Sequence, residues 1–149
     1  MNSPVRSAVV AVVLAAAVPA VAVPVYSNDF EGAAPGPEWS QTLVSATPGG
    51  TTPSTRFLGE FGKGPVTLTL SSLQPHAQLH LAFDLILART WDGNGEAGGG
   101  PDRFTVAVDG TTVFDSTFAN LPFQTQTFPG PTASGAKYPA QTDAIVANS

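Results

Sequence analysis

The stretch QLHLAFDLIL, Gln78–Leu87, decides the fold class. Leu79, Leu81, Phe83, Leu85 and Leu87 share one face of an extended chain, and His80, Ala82, Asp84 and Ile86 share the other. This is the pattern of a strand with one face on a core. The sequence continues through the loop RTWDGNGEAGGGPD, residues 89–102, into RFTVAVDGTTVFDS, residues 103–116. Asp109-Gly110 joins two alternating runs there, and both residue types tolerate the positive φ of a type I′ turn. An antiparallel hairpin over 103–116 is predicted, with Val106 opposite Val113. The five residues Leu79, Leu81, Phe83, Leu85 and Leu87 are expected to be buried, facing the same core as Val66, Leu68 and Leu70.

Further strands are predicted at Val25–Glu31, Arg56–Phe61, Val66–Leu70 and Gln124–Phe128. Between Pro35 and Ser54 the chain is Pro, Gly, Ser and Thr without period, and it reads as loop. Gly and Pro fall between strand-like runs throughout, and no run after the N-terminal segment shows helical apolar spacing. The reading is all-β, an antiparallel two-sheet β-sandwich. Six or seven short strands are few for a jelly roll, which takes eight. Either the fold is small or it is incomplete at the C-terminus.

Residues 1–22 carry Arg6, an apolar Ala/Val run and a small-residue cut at Ala20-Val21-Ala22, the make-up of a secretory signal peptide. Pro19 interrupts the run, which is short for a membrane span. A retained anchor is the alternative. Residues 23–128 then form the sandwich domain, and residues 129–149 a Pro/Ala-rich tail or truncated final strands. With no cysteine there is no disulfide framework, no zinc-finger spacing and no thiol nucleophile. A secreted chain of this kind points to a bacterial extracellular or cell-surface protein without a membrane span after cleavage. Six basic side chains face eleven acidic ones, and the basic ones are scattered. No basic patch exists to neutralise a phosphate backbone, which argues against nucleic acid as a partner. The balance favours cations or neutral ligands such as glycans.

Two groups of oxygen-bearing residues are candidate metal ligands. On a strand, Asp29 and Glu31 project from one face and suit Ca²⁺, or a glycosidase pair, or simply solvated charges. The loop places Asp92, Asn94 and Glu96 at every second position, with Asp102 beyond, and its alternative is a polar turn without a ligand. It is no EF-hand, since Ala97 and Arg103 stand at that loop's sixth and twelfth positions. Trp91 is either a plate on which a sugar stacks or a plug that closes the sandwich end. Asn94 and Asp84 complete the candidate ligand-binding set with Trp91. Asp84, a charge in mid-strand, needs a partner, and Arg89 and Arg103 are the candidates. His80 lies about 13 Å along the strand from Asp84, too far for a dyad, and His76 falls in a turn. No serine sits in a nucleophile elbow, and GEAGGGPD lacks a phosphate loop's lysine and helix.

NDFE at 28–31, a long strand leading to Trp91-Asp92-Gly93, and PDRFTVAVDG at 101–110 together resemble bacterial secreted jelly rolls of the concanavalin-like lectin and carbohydrate-binding-module group. The resemblance spans about 25–128. It implies a calcium ion pinning the N-terminal strand to a later loop, which maps to Asp29 and Glu31 with Asp92 or Asp102. Laminarinase-like members carry a Glu-x-Asp-x-(x-)Glu strand that this chain lacks, which weighs against hydrolysis without deciding it. The expected function is a non-catalytic carbohydrate-binding or cell-surface module stabilised by calcium. The alternatives are a structural or adhesive envelope protein and a polysaccharide-active glycoside hydrolase.

Overall fold

The computed structural model describes residues 24–32, 34–47, 55–96 and 98–144, and the predicted signal segment lies outside them. The described chain is all-β, with three antiparallel two-stranded sheets and one short 3₁₀ turn, Thr132–Ser134. No helix among the described residues is long and apolar enough to cross a membrane.

The centre of the molecule is the hairpin of β3 (Arg103–Val108) and β4 (Thr111–Thr117). Asp109 and Gly110 have φ of 48° and 78°, as a type I′ turn requires. Phe104, Val106 and Val108 are half-buried, while Arg103, Thr105 and Ala107 are exposed, so the alternation of β3 is realised. The predicted register holds for two pairs only. Val108 faces Thr111 and Ala107 faces Thr112, but Val106 then faces Phe114 in place of Val113. Val113 is the extra residue of a β-bulge and is 60% exposed. The bulge has a packing reason: it turns Phe114 onto the face of Val106, within reach of Phe104, Phe118 and Phe128, each with its ring centroid 6.3 Å away. Phe118 stacks on Phe128 at 4.9 Å, and Trp91 meets Phe118 edge-on.

A second hairpin lies where loop was predicted. β1 (Val44–Ala46) pairs with β2 (Arg56–Leu58), so the predicted strand at 56–61 is shorter than expected and has its partner inside the Gly/Pro-rich region. The third sheet joins β5 (Thr125–Gln126) to β6 (Tyr138–Pro139), which gives the tail a strand that its composition conceals.

Three predicted strands are absent. Val25–Glu31 bends, with Phe30 at φ 59° packed against Trp39 (5.7 Å between centroids), so Asp29 and Glu31 do not share a strand face. Val66–Leu70 is reduced to one bridge, Leu68 to Trp39. Gln78–Leu87 runs without a bend but pairs with nothing. Leu79, Leu81 and Phe83 are 50%, 49% and 54% exposed, and Val66 is exposed as well. Leu68, Leu70, Leu85 and Leu87 are half-buried. Alternation states which side chains share a face; it does not supply a neighbouring strand, and among the described residues none reaches this segment.

The fully buried interior is polar. Among the described residues, Phe118 and Ala119 are the buried hydrophobic ones, beside Ser116, Thr117, Gln124, Gln126 and Thr127. These polar side chains do the work of a missing third strand beside β4. Thr117 N donates to Thr127 Oγ1 at 2.9 Å, and Thr127 N returns the bond to Thr117 Oγ1 at 2.8 Å. Ala119 N donates to Gln126 Oε1 at 3.1 Å. Each buried backbone N–H in this set thereby finds an acceptor without a ladder.

Candidate functional site

The loop Trp91–Asp102 is laced to the end of β4 and to β5, and this lacing builds the site. Gly93 N donates to Phe118 O (2.9 Å), Asn94 N to Thr125 O (2.9 Å) and Asp102 N to Gly93 O (3.0 Å). Gly93 is at φ 59°, and a Cβ there would run into the Thr125 carbonyl and the Ala119 methyl. Only glycine permits this approach of loop to strand.

Four polar side chains of the loop point back into the fold. Asn94 donates from Nδ2 to Thr125 Oγ1 (2.9 Å) and accepts at Oδ1 from Thr117 Oγ1 (2.6 Å). Glu96 accepts from Thr125 N (2.9 Å) and Thr125 Oγ1 (2.5 Å) and lies 3.2 Å from Lys137 Nζ. The Thr125 bonds, with Lys137 adding to them, hold the Glu96 carboxyl below its ordinary range. Asp92 accepts at Oδ1 from Gln124 Nε2 (2.7 Å), and its own N–H donates to Asp102 Oδ2 (2.6 Å). Gln124 Oε1, on the amide that holds Asp92, is buried without a hydrogen-bond partner.

Beside this network lies a hollow of about 290 Å³. Asn94, Thr117, Thr127, Thr132 and Lys137 give it polar walls, and Pro101, Gly135 and Ala136 give it apolar ones. Of the predicted ligand-binding residues, Asn94 alone lines it. Trp91 is half-buried, its indole N–H donating to Ala88 O (3.0 Å) and its ring meeting Phe118 at 87°. The ring's polar handle is thereby satisfied within the chain. Asp84 is exposed and pairs with neither expected arginine: Arg89 binds Glu60 (2.6 Å) and Arg103 binds Asp115. His76 and His80 are exposed.

The four candidate metal ligands fall into two pairs. Asp102 Oδ2 and Asp92 meet within the loop, as above. Asp29 Oδ1 accepts from Glu31 N (3.1 Å) near the N-terminus of the described chain. The Glu31 carboxylate is taken up by Thr55 Oγ1 and by Arg56 N (2.8 Å), and these bonds hold its pKa down. The Arg56 guanidinium donates to the backbone carbonyls of Glu31 and Gly32. Among the described residues no three His, Cys, Asp or Glu side chains gather as a metal-binding group. A hollow of about 390 Å³ borders this region, lined by Ser27, Asn28, Asp29, Gly32 and Ala34.

Sequence reasoning missed Thr117, Gln124, Gln126, Thr127, Thr132 and Lys137. The run QTQTF, 124–128, carried the one available signal, a period-2 pattern of long amides in a segment that must turn back at Pro129. Its polarity argued for solvent, whereas the Gln126 amide satisfies buried backbone and the Gln124 amide binds the Asp92 carboxylate.

No family model, no curated protein and no solved structure matches this sequence.

Proposed function

We propose that this chain is an exported, non-catalytic carbohydrate-binding module of the bacterial cell surface, its β-structure arranged as a jelly-roll-like sandwich. The hollow beside the Trp91–Asp102 loop supports this reading. Its half-buried Thr132 hydroxyl and exposed Lys137 can meet the hydroxyls of a sugar, and its Pro101 and Ala136 surfaces suit a sugar's C–H face. Asn94 and Thr117 are fixed by bonds to each other, so the polar walls are set before a ligand arrives. Lys137 stands at the rim as the cation nearest the ligand. The test is a glycan-array screen of the purified chain, followed by titration of hits against Lys137→Ala and Thr132→Ala. Retention of a neutral or uronic glycan, with at least about tenfold weaker binding in the variants, about 1.4 kcal/mol, is the expected result. Binding unchanged by both substitutions, or no glycan retained at all, refutes the assignment.

Calcium belongs to this reading at one carboxylate pair. At Asp29 and Glu31 the Arg56 guanidinium lies alongside, donating to the Glu31 and Gly32 carbonyls, and its positive charge opposes a cation. Asp92, Asp102 and the unpartnered Gln124 Oε1 offer hard oxygen donors of the kind Ca²⁺ takes. An ion bound there to the native state alone would raise the melting temperature with concentration. Calorimetry should show a rise at millimolar Ca²⁺ over chelator that Asp102→Asn removes and Glu31→Gln leaves; superimposable traces eliminate the ion.

The second reading, an adhesive or structural envelope protein, is favoured by one observation: the exposed apolar side chains of Leu79, Leu81 and Phe83.

A further inference from the structure

Residues 70–90 make no backbone–backbone hydrogen bond with any described residue. Within them Gln78–Ala88 is unbent and contains no Gly, Pro or Lys, the residues with which natural sheets blunt an open edge. Phe83 touches the β3–β4 hairpin, its ring centroid 6.0 Å from that of Phe104, so one face of the segment already rests on folded structure. Among the described residues it has no edge partner. One charge, Asp84, guards it, and neither Asp84 nor His80 joins an ion pair among the described residues.

We infer that Gln78–Ala88 is the self-pairing strand of a two-fold dimer, lying antiparallel to the same segment of a second copy with the axis at Ala82. The register follows from the sequence. With Ala82 opposite its own mate, His80 faces Asp84 of the second copy, and the symmetry makes this cross-strand pair twice. On the other face Leu79 meets Leu85 and Leu81 meets Phe83. Moving the axis one residue to Phe83 keeps the apolar pairs but sets Asp84 against Ala82 and His80 against Ile86. Axes at Asp84 or His80 set each titratable group against its own copy. Axes between residues pair the apolar face with the polar one. Only Ala82 sets the Asp84 carboxylate against an imidazole, an N–H donor in either protonation state, and keeps both faces intact. The guard against indiscriminate edge pairing is thus a selector for this chain's own strand.

The chain has no cysteine, which makes the test direct. Ala82→Cys puts one thiol on the axis, with Cα atoms about 4.5–5.5 Å apart across the pair, inside the range a disulfide spans. Gln78→Cys puts the two thiols about 26 Å apart along the ribbon. Under mild oxidation at micromolar concentration, Ala82→Cys should run largely as a covalent dimer and Gln78→Cys as a monomer. By sedimentation equilibrium the unmodified chain should be dimeric at about 100 μM. His80→Asp, which opposes two carboxylates, should weaken association at least tenfold, and the exchange His80→Asp with Asp84→His should restore it. That recovery separates lost pairing from lost folding. A monomer at 100 μM, crosslinking no greater at 82 than at 78, or a dimer indifferent to His80→Asp would each overturn the proposal.

Discussion

Thr117 shows at the scale of one residue how this protein replaces a strand with side chains. Its hydroxyl accepts from Thr127 N and donates to Asn94 Oδ1, linking β4, the residue after β5 and the loop at a single atom. Valine keeps the shape and removes both bonds, leaving a buried N–H and an amide oxygen unpaired. Thr117→Val should therefore cost about 1–3 kcal/mol, read as a lower urea midpoint at unchanged slope. Thr112, exposed on β4 and without a side-chain hydrogen bond among the described residues, gives the contrast: Thr112→Val should stay within about 0.5 kcal/mol.

At the scale of elements, two phenylalanine environments separate the packed end of β4 from the unpaired segment Gln78–Leu87. Phe118, 7% exposed and stacked on Phe128, should lose about 3–5 kcal/mol on truncation to Ala. Phe83, more than half exposed, should lose about 1 kcal/mol in the monomer, since roughly half of a full burial is at stake. Denaturant titrations of the two variants check the ratio. This pair also marks how much could be read from sequence. The β3–β4 hairpin and its turn were legible because Asp109-Gly110 fixes them locally. Its bulge was not, because it serves Phe114's contacts with rings at 118 and 128. Gln78–Leu87 has the pattern of a strand and the backbone course of one, yet pairing is a property of two segments and alternation describes one. β1 and β6 were hidden by the turn-rich composition around them. In the site, the loop residues were legible by their oxygen-rich spacing. The threonines and glutamines that complete it were not, since polarity alone argues for exposure.

For the whole molecule, three carboxylates tie distant segments together: Glu31 to Thr55 and Arg56, Glu96 to Thr125 and Lys137, and Asp115 to Arg103 and Thr132. Each has its pKa lowered, chiefly by the hydrogen bonds it accepts: from Thr55 at Glu31, from Thr125 at Glu96 and from Arg103 at Asp115. A lowered folded-state pKa means the unfolded chain binds the proton first. The stabilisation is then complete above the ordinary carboxylate range, about pH 4–4.5, and is lost as pH falls below it through the folded values. Urea midpoints should be level from pH 7 to 5 and fall between about pH 4 and 2. Glu31→Gln, Glu96→Gln and Asp115→Asn combined should flatten that fall, and an unchanged acid limb would show that other groups govern it.

The polar interior has a thermal consequence. Exposing apolar surface raises the heat capacity of unfolding, and exposing amides and hydroxyls lowers it. A centre made of Ser116, Thr117, Gln124, Gln126 and Thr127 around Phe118 and Ala119 therefore gives a smaller heat-capacity increment than the usual 12–15 cal/mol/K per residue. The stability curve of such a protein is broad and shallow, with its cold-denaturation limit pushed to lower temperature. With Gln and Thr at the centre, the stability of the fold then varies less across ordinary temperatures than that of a protein with an apolar interior.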